Sequence, residues 1–294
     1  MTAEPLFVDS KGREIAIPAV GRFVADTHAH LDMLDDPALA LARAARAGVR
    51  FIATVADVTE DGWRTYDQLD SWRTNAAELL VEGGIEDVDV PRVRVIVGAH
   101  PHNAKDYDQA AEDELRRLAS DPVTCALGEL GLDYHYDHSP RDVQRDRFRR
   151  HLGLAHEFGL PVVIHLREAH DDGLAILTEV GVPDAGAILH CYTLGPDPMR
   201  PFLDLGCHVS FAGPVTFKKA EEIREAASLV PTDRILTETD CPFMAPEPFR
   251  GRTNEPALVV FTAAKIAHAR GEQAESFARR AFESALALLD GAPQ

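Results

Sequence analysis

Phe23-Val24-Ala25-Asp26-Thr27-His28-Ala29-His30 is the stretch on which the reading of the whole chain turns. Residues 23–27 have the apolar character of a short strand, and residues two apart in an extended chain project to the same side. His28 and His30 therefore aim two imidazoles into one small volume where the strand gives out. Neutral imidazole is the commonest protein ligand for transition metals. The pair is half of a metal site, or else two ordinary polar residues at a strand edge, and the rest of the chain decides which.

Working outward, short apolar runs alternate with amphipathic stretches. The strand candidates are residues 23–27, 49–55, 93–99, 123–127, 162–166, 187–190, 208–211 and 234–237. Helical patterns occupy 37–47, 108–119, 141–158, 171–180 and 217–229, and two more close the chain near 255–269 and 273–289. Pro37 and Pro256 stand near helix starts, where a missing N–H costs nothing, and Gly48, Gly159 and Gly181 stand just past helix ends. Eight strand–helix alternations predict an α/β fold, a single-domain (β/α)8 TIM barrel over residues 22–294, preceded by an extension, residues 1–21. A doubly wound open sheet is the competing layout, and the lack of a Gly-rich loop after the first strand counts against it. Residues 59–91 are too long for one helical return and read as a helix followed by an acidic insertion loop around 82–87.

Composition bounds the function. The chain has 294 residues, 45% of them hydrophobic, enough for one large core, and carries a net charge of −18. That charge argues against broad nucleic-acid binding through a basic footprint, although bound divalent cations would offset part of it locally. No apolar run is long enough to span a membrane, and the first 21 residues lack a secretory signal pattern. Cys125, Cys191, Cys207 and Cys241 form no C-x-x-C pair and read as reduced thiols of a cytoplasmic protein.

In a barrel the C-terminal strand ends share one mouth, so chemistry-bearing residues should gather there. They do. The first strand ends in His28 and His30, the third in His100, the fourth in Glu129, the fifth in His165, the sixth in His190 and the eighth in Asp240. Six mixed nitrogen and oxygen ligands (His28, His30, Glu129, His165, His190 and Asp240) exceed what one four-coordinate ion needs and suit two divalent ions. Glu129 would bridge, with His28, His30 and Asp240 on one ion and His165 and His190 on the other. No cysteine is required, so Zn²⁺, Mn²⁺, Co²⁺ and Mg²⁺ all fit. Such a pair activates water for hydrolysis, with Asp240 as general base.

The chain resembles the TatD family of metal-dependent hydrolases, within the amidohydrolase-like barrels. The motifs that carry the resemblance are Asp-Thr-His-Ala-His-Leu-Asp (26–32), Gly-Ala-His-Pro-His (98–102), Gly-Glu-Leu-Gly-Leu-Asp-Tyr (128–134), Pro-Val-Val-Ile-His-Leu-Arg-Glu-Ala (161–169), His-Cys-Tyr (190–192) and Glu-Thr-Asp-Cys-Pro-Phe-Met-Ala-Pro (238–246). Carried over position by position, the resemblance implies the same six ligands, catalytic roles for Asp240 and Glu129, and deoxyribonuclease or exonuclease activity with DNA as substrate. It implies no obligate protein partner and a monomer or weak oligomer. Four departures from the family pattern stand out: the extension ahead of His28; the longer segment 59–91; Leu194-Gly195-Pro196 where a small Ser/Gly-rich turn is more usual; and Phe249, in a loop that commonly reads Pro-His-Arg-Gly-Lys and here reads Pro248-Phe249-Arg250-Gly251-Arg252.

Further expectations concern the substrate. His100, Arg167, Lys218 (read as opening the helix after the seventh strand), Arg250 and Arg252 are candidate contacts to a phosphate. Asp133, on the loop after Glu129, is a candidate to orient a ligand histidine, and Glu238 reads as an internal salt bridge. His135 and His138 read as surface residues. The alternative enzyme is an ester, lactone or amide hydrolase with the same two-metal core; the alternative outside catalysis is a metal-containing binding protein.

Overall fold

A sheet whose strands read as continuous apolar runs must be covered on both faces, and the chain achieves this by closing the sheet on itself. The computed structural model describes residues 5–9, 11–85 and 87–291. Residues 1–4 and Ser10 of the expected extension, and Glu86 of the expected acidic loop, lie outside the described residues. Strands β1 (Val24–Ala29), β2 (Val49–Asp57), β3 (Arg92–Gly98), β4 (Thr124–Asp133), β5 (Val162–Arg167), β6 (Ala187–Leu189), β7 (His208–Phe211) and β8 (Ile235–Thr237) are parallel and adjacent in chain order. Past β8 the chain returns to β1: Ala29 bridges in parallel to Cys241, and the Asp240 and His30 amides each donate to a carbonyl across the seam at 2.9 Å.

Helices α1 (Pro37–Ala47), α2 (Trp63–Glu82), α3 (Gln109–Ala119), α4 (Arg141–Phe158), α5 (His170–Val180), α6 (Pro196–Asp204), α7 (Glu221–Leu229), α8 (Val259–Arg270) and α9 (Ala274–Leu289) make the outer layer. Side chains sort by the two-residue period of the strands. Ala25, Phe51, Ala53, Val55, Ile96, Val163, Ile188 and Leu236 fill the barrel. Their neighbours Ile52, Val95, Val97, Val162, Ile164 and Leu189 face the helices. Ala285, Leu288 and Leu289 of α9 join the inner cluster, and Asp290 pairs with Arg92 (2.8 Å) and Arg94 (3.2 Å) at the start of β3. The last helix thus plugs the floor, leaving the mouth at the strand C-termini open for chemistry.

Three elements differ from the sequence expectation. β4 runs on to Asp133 instead of stopping at 127. The helix expected over 217–229 begins at Glu221, because Gly213–Thr216 first winds into a 3-10 turn. Helix α6 was not expected: its three prolines mask a helical pattern, yet Met199 and Phe202 bury at the i, i+3 spacing of one face. The expected insertion is helix α2 followed by an irregular connection to β3.

The extension is packed on the barrel. Val8 and Glu14 form an antiparallel bridge. Phe7, 2% exposed, sets its ring 5.6 Å from Phe249 and 5.3 Å from Phe261. Arg43 donates to the Leu6 carbonyl (2.7 Å) while pairing with Glu255 (2.7 Å). A buried phenylalanine truncated to alanine costs about 3–5 kcal/mol. Phe7→Ala is expected to lower the unfolding free energy by about 3 kcal/mol, read as the midpoint shift of a urea titration; an unchanged midpoint would show that the extension contributes nothing to the fold.

Candidate metal centre

A carboxylate cannot be sunk into a barrel mouth without partners, and Glu129, 4% exposed, has imidazoles on every side. Its Oε1 lies 2.7 Å from His165 Nδ1, 2.7 Å from His190 Nε2 and 3.4 Å from His100 Nε2. Its Oε2 faces the other way, 3.2 Å from His28 Nε2 and 3.9 Å from His30 Nε2. Asp240 Oδ1 completes that side, 3.6 Å from His30 and 3.8 Å from His28. His28 and His190 stack with ring centroids 4.0 Å apart. One carboxylate thus turns each oxygen toward a different set of donors. His28, His30 and Asp240 converge as one such set, and His100, Glu129 and His165 as another.

Strand geometry explains how the side chains arrive. Stepping by two from the inner core residues leads from Val163 to His165, from Ile188 to His190, from Ile96 through Gly98 to His100, and from Leu236 through Glu238 to Asp240. The pairing slips between Leu127 and Leu130 in β4 and between Asp26 and Ala29 in β1. Such slips re-aim side chains, and Glu129 and His28 sit within them. Glu129 therefore lies inside β4, not at its end as the sequence suggested. β4 meets β5 closely at Gly131, at φ +136°, where a Cβ would collide with the His165 carbonyl oxygen.

A second ring of carboxylates aims the imidazoles. Asp133, at the end of β4 and not on the following loop, accepts from His165 Nε2 (3.1 Å) and His102 Nε2 (2.9 Å). Glu238 Oε1 stands 3.3 Å from His190 Nδ1 and accepts from the Cys191 amide at 2.6 Å. The internal salt bridge expected of Glu238 is formed with His190, one of the candidate ligands. Asp133 draws the His165 ring proton to the outer nitrogen and leaves the Nδ1 lone pair facing the centre; Glu238 sets its charge on the corresponding side of His190. His100 is arranged the opposite way. Its Nδ1 accepts from the His102 amide (3.1 Å), which keeps the proton on Nε2. That nitrogen is a donor facing Glu129 Oε1 at 3.4 Å.

Charge follows the same logic. Burial opposes ionisation of Glu129, but His190, His100 and His28 outweigh it and hold the carboxyl well below its usual range. Burial also opposes ionisation of Asp240, and the His30 hydrogen bond with the surrounding imidazoles pulls it down. His190 is raised well above an ordinary imidazole by Glu129 and Glu238 against its burial, whereas burial and the His190 charge lower His28. Asp26, fully buried, is pushed up to about 8 by desolvation despite its hydrogen bonds from Thr239.

Asp26 is a residue the sequence reading passed over. It accepts from the Thr239 amide (2.8 Å) and hydroxyl (2.6 Å), pinning β1 to the segment that carries Asp240. Asp57, also unremarked, accepts from the His100 amide at 2.9 Å. The signal for Asp26 was present in the motif, since it precedes His28 by one strand step; nothing in the sequence marks Asp57.

The expected substrate contacts are dispersed. Arg167 lies over the Tyr136 ring at 4.6 Å and Arg250 over Phe217 at 4.4 Å. Lys218 sits exposed in a turn before α7, not at the helix start. Arg252 donates to the Val8 carbonyl at 2.8 Å, holding the extension. His135 pairs with Glu168 at 2.7 Å. Cys191 and Cys241 have thiols that burial pushes well above the usual range, which leaves them poor nucleophiles.

The donor set fits a divalent cation. His28 is fully buried and neither ring nitrogen makes a hydrogen bond, while its Nε2 faces two carboxylates. Because Gly131 sets the approach of β4 to β5, Gly131→Ala is expected to displace Glu129 from His165. Metal retained after desalting, counted by elemental analysis, should fall at least about tenfold, the scale seen when the partners of metal ligands are disturbed. Undiminished retention would refute the role of that contact.

Comparison with known proteins gives the family. The model of the family described as TatD related DNase matches residues 25–290. A metal-dependent hydrolase of Escherichia coli (strain K12), YcfH, is 39% identical over 264 residues, covering 87% of this chain and 92% of that protein. A protein of Pantoea vagans named 3'-5' ssDNA/RNA exonuclease TatD is 38% identical over 198 residues, covering 65% of this chain and 76% of that protein. The crystal structure of YJJV, a TatD homolog from Escherichia coli K12, superposes with a TM-score of 0.80 at 24% identity over 92% of this chain and 98% of that one. With eight parallel strands closed around a buried Glu129 and its imidazoles, and the family match running almost from end to end, the chain belongs to the TatD related DNase family of metal-dependent hydrolases.

Proposed function

We propose that the protein is a two-metal nuclease that hydrolyses phosphodiester bonds in single-stranded DNA. The observation that carries the reading is Glu129, whose two carboxylate oxygens face two separate donor sets. His28, His30 and Asp240 would hold one divalent ion, His165 and His190 the other, and Glu129 would touch both. The ions, when bound, supply the positive charge that activates a water and polarises the phosphoryl oxygen.

The remaining work falls to the chain. Asp240, ionised at neutral pH, lies 3.6 Å from His30 Nε2 at the edge of the pair and takes the proton of the attacking water. His100 keeps its proton on Nε2, 3.4 Å from Glu129 Oε1, and donates to a non-bridging oxygen of the phosphate bound beside it. Asp133 holds the His165 imidazole in the right tautomer through the reaction, and Glu238 keeps its charge beside His190. The name carried by the Pantoea vagans relative supports single-stranded nucleic acid as the substrate class.

Removing one member of a metal-binding and catalytic set should cost at least a hundredfold in rate, on the order of that for other groups stabilising developing charge. Chelator-stripped protein should shorten an end-labelled single-stranded oligonucleotide only after Mg²⁺, Mn²⁺, Co²⁺ or Zn²⁺ is restored, and Glu129→Gln and Asp240→Asn should abolish the shortening. Intact oligonucleotide with every metal, at measured full occupancy, would remove DNA as substrate and direct the search to small esters and amides.

A further inference from the structure

The loop after β4 carries two exposed aromatic rings beside the metal centre. Tyr136 is 50% exposed, and His138, also exposed, lies parallel to it, the planes 1° apart and the centroids 5.6 Å apart. An exposed ring on a flexible loop is unremarkable. This loop is fixed at both ends. The His135 and Tyr136 amides donate to Asp133 Oδ1 at 3.0 and 2.8 Å. Ser139 donates to the His102 carbonyl at 2.7 Å and accepts from the Lys105 amide at 3.1 Å. Gln144 donates to the Ser139 carbonyl at 2.8 Å, and Arg141 to the Tyr134 carbonyl at 3.1 Å.

The rings are also coupled to the centre. Tyr136 stands edge-on to His102, centroids 5.4 Å apart, and His138 stands edge-on to His102 at 4.7 Å. His102 and His165 share Asp133 Oδ2. Two side chains therefore separate the platform from the ligand set around Glu129. Arg167, one strand step beyond His165, lays its guanidinium over the Tyr136 ring at 4.6 Å. The nearby carboxylates are engaged by their own cations or imidazoles, Asp137 by Arg141 (2.7 Å) and Glu168 by His135 (2.7 Å).

We infer that Tyr136, with His138 and Arg167, forms a stacking platform for one unpaired nucleobase of the strand whose phosphodiester lies at the metal centre. The inference rests on the nuclease reading above and adds to it the residues that select a single strand. A nucleotide carries its base and phosphate on one sugar, so a site for the phosphate needs a companion surface within one residue of the strand. A fixed aromatic face tolerates every base, because every base has a π-face. Arg167 supplies the cation that the backbone requires in a chain of net charge −18. A paired base has its faces covered by its stack, so duplex ends are poor occupants.

The test uses the metal-loaded full-length protein and a fluorescent single-stranded oligonucleotide, with phosphorothioate linkages for binding and natural linkages for turnover. Tyr136→Ala should weaken binding and raise KM about 5- to 150-fold, the span expected for one stacked base, with a much smaller effect on kcat. Tyr136→Trp should restore affinity, which a merely structural role of the tyrosine would not predict. An abasic site walked along the strand should reproduce the loss at one position in the wild type, and at that position Tyr136→Ala should add little more. Unaltered KM in Tyr136→Ala, or full additivity of the two losses at every position, overturns the platform while leaving the nuclease reading intact. Absence of turnover of any oligonucleotide by the wild type overturns both.

Discussion

The buried carboxylate of Glu129 is the constraint to which the rest of the molecule answers. A charge taken out of water is costly by several kcal/mol unless it is paired and hydrogen-bonded. Here the pairing is supplied by nitrogen atoms of five imidazoles drawn from β1, β3, β5 and β6 and their ends. An array of lone pairs around an anion is not self-sufficient. It is completed by protons, which the depressed Glu129 and elevated His190 ionisation describe, or by divalent cations in the same places. The outer carboxylate Asp133 favours the second arrangement, because it holds the His165 ring proton on the far nitrogen. The barrel supplies what a loop scaffold could not: independent strand ends held at fixed separations around one point.

How much of this was legible in the sequence depends on the period of two. Where a strand alternates up to its chemistry-bearing residue, as in β5, the apolar pattern locates His165; β6 ends at Leu189 and β8 at Thr237, so residue type just past an apolar run is what marks His190 and Asp240. Where the register slips, as in β1 and β4, one parity does not run the length of the strand, and residue type at an apparent strand end is what marks His28 and Glu129. The same slip hid the true end of β4, so that Asp133 looked like a loop residue when it is the hinge between the ligand set and the exposed rings beyond it. Helix α6 was lost for a different reason. Proline is read as a breaker, yet Pro196 occupies the first helical position, where its lost N–H has no partner to forfeit. Contacts between residues far apart in the chain, such as Asp57 with the His100 amide, leave no periodic trace at all.

Net charge was the least informative of the sequence quantities. The figure of −18 describes the whole surface, and much of that acid is consumed locally. Glu157 pairs with Arg116, Glu179 with Arg149 and Glu112 with Arg150 along the outer helices, far from the mouth in function if not in sequence. Screening limits the reach of exposed charge to about 8–10 Å in physiological salt. On the proposed function, what an incoming phosphate would meet is set by the residues lining the mouth, Arg167 and His100 among them, and by the divalent ions they would hold, not by the sum over the chain.

Two of the expected departures, the extension and Phe249, form one feature. Phe249 places an apolar ring on the loop that follows Asp240. The extension brings Phe7 to that same ring, and Phe261 of α8 closes the trio. Neither aromatic is sensible alone: Phe249 without the extension would expose a large apolar surface, and Phe7 without Phe249 would lose the ring it packs against. Arg252, from the same loop, then ties the Val8 carbonyl, and Arg43 joins Leu6 to Glu255 at the loop's far end. The segment so fastened is the one that leads from Asp240 through Phe243, whose ring stands 6.1 Å from His30. An element outside the barrel thereby stiffens the one wall of the mouth that carries a ligand yet lies beyond the last strand. At that wall β8 ends at Thr237 and the seam to β1 is carried by isolated backbone contacts.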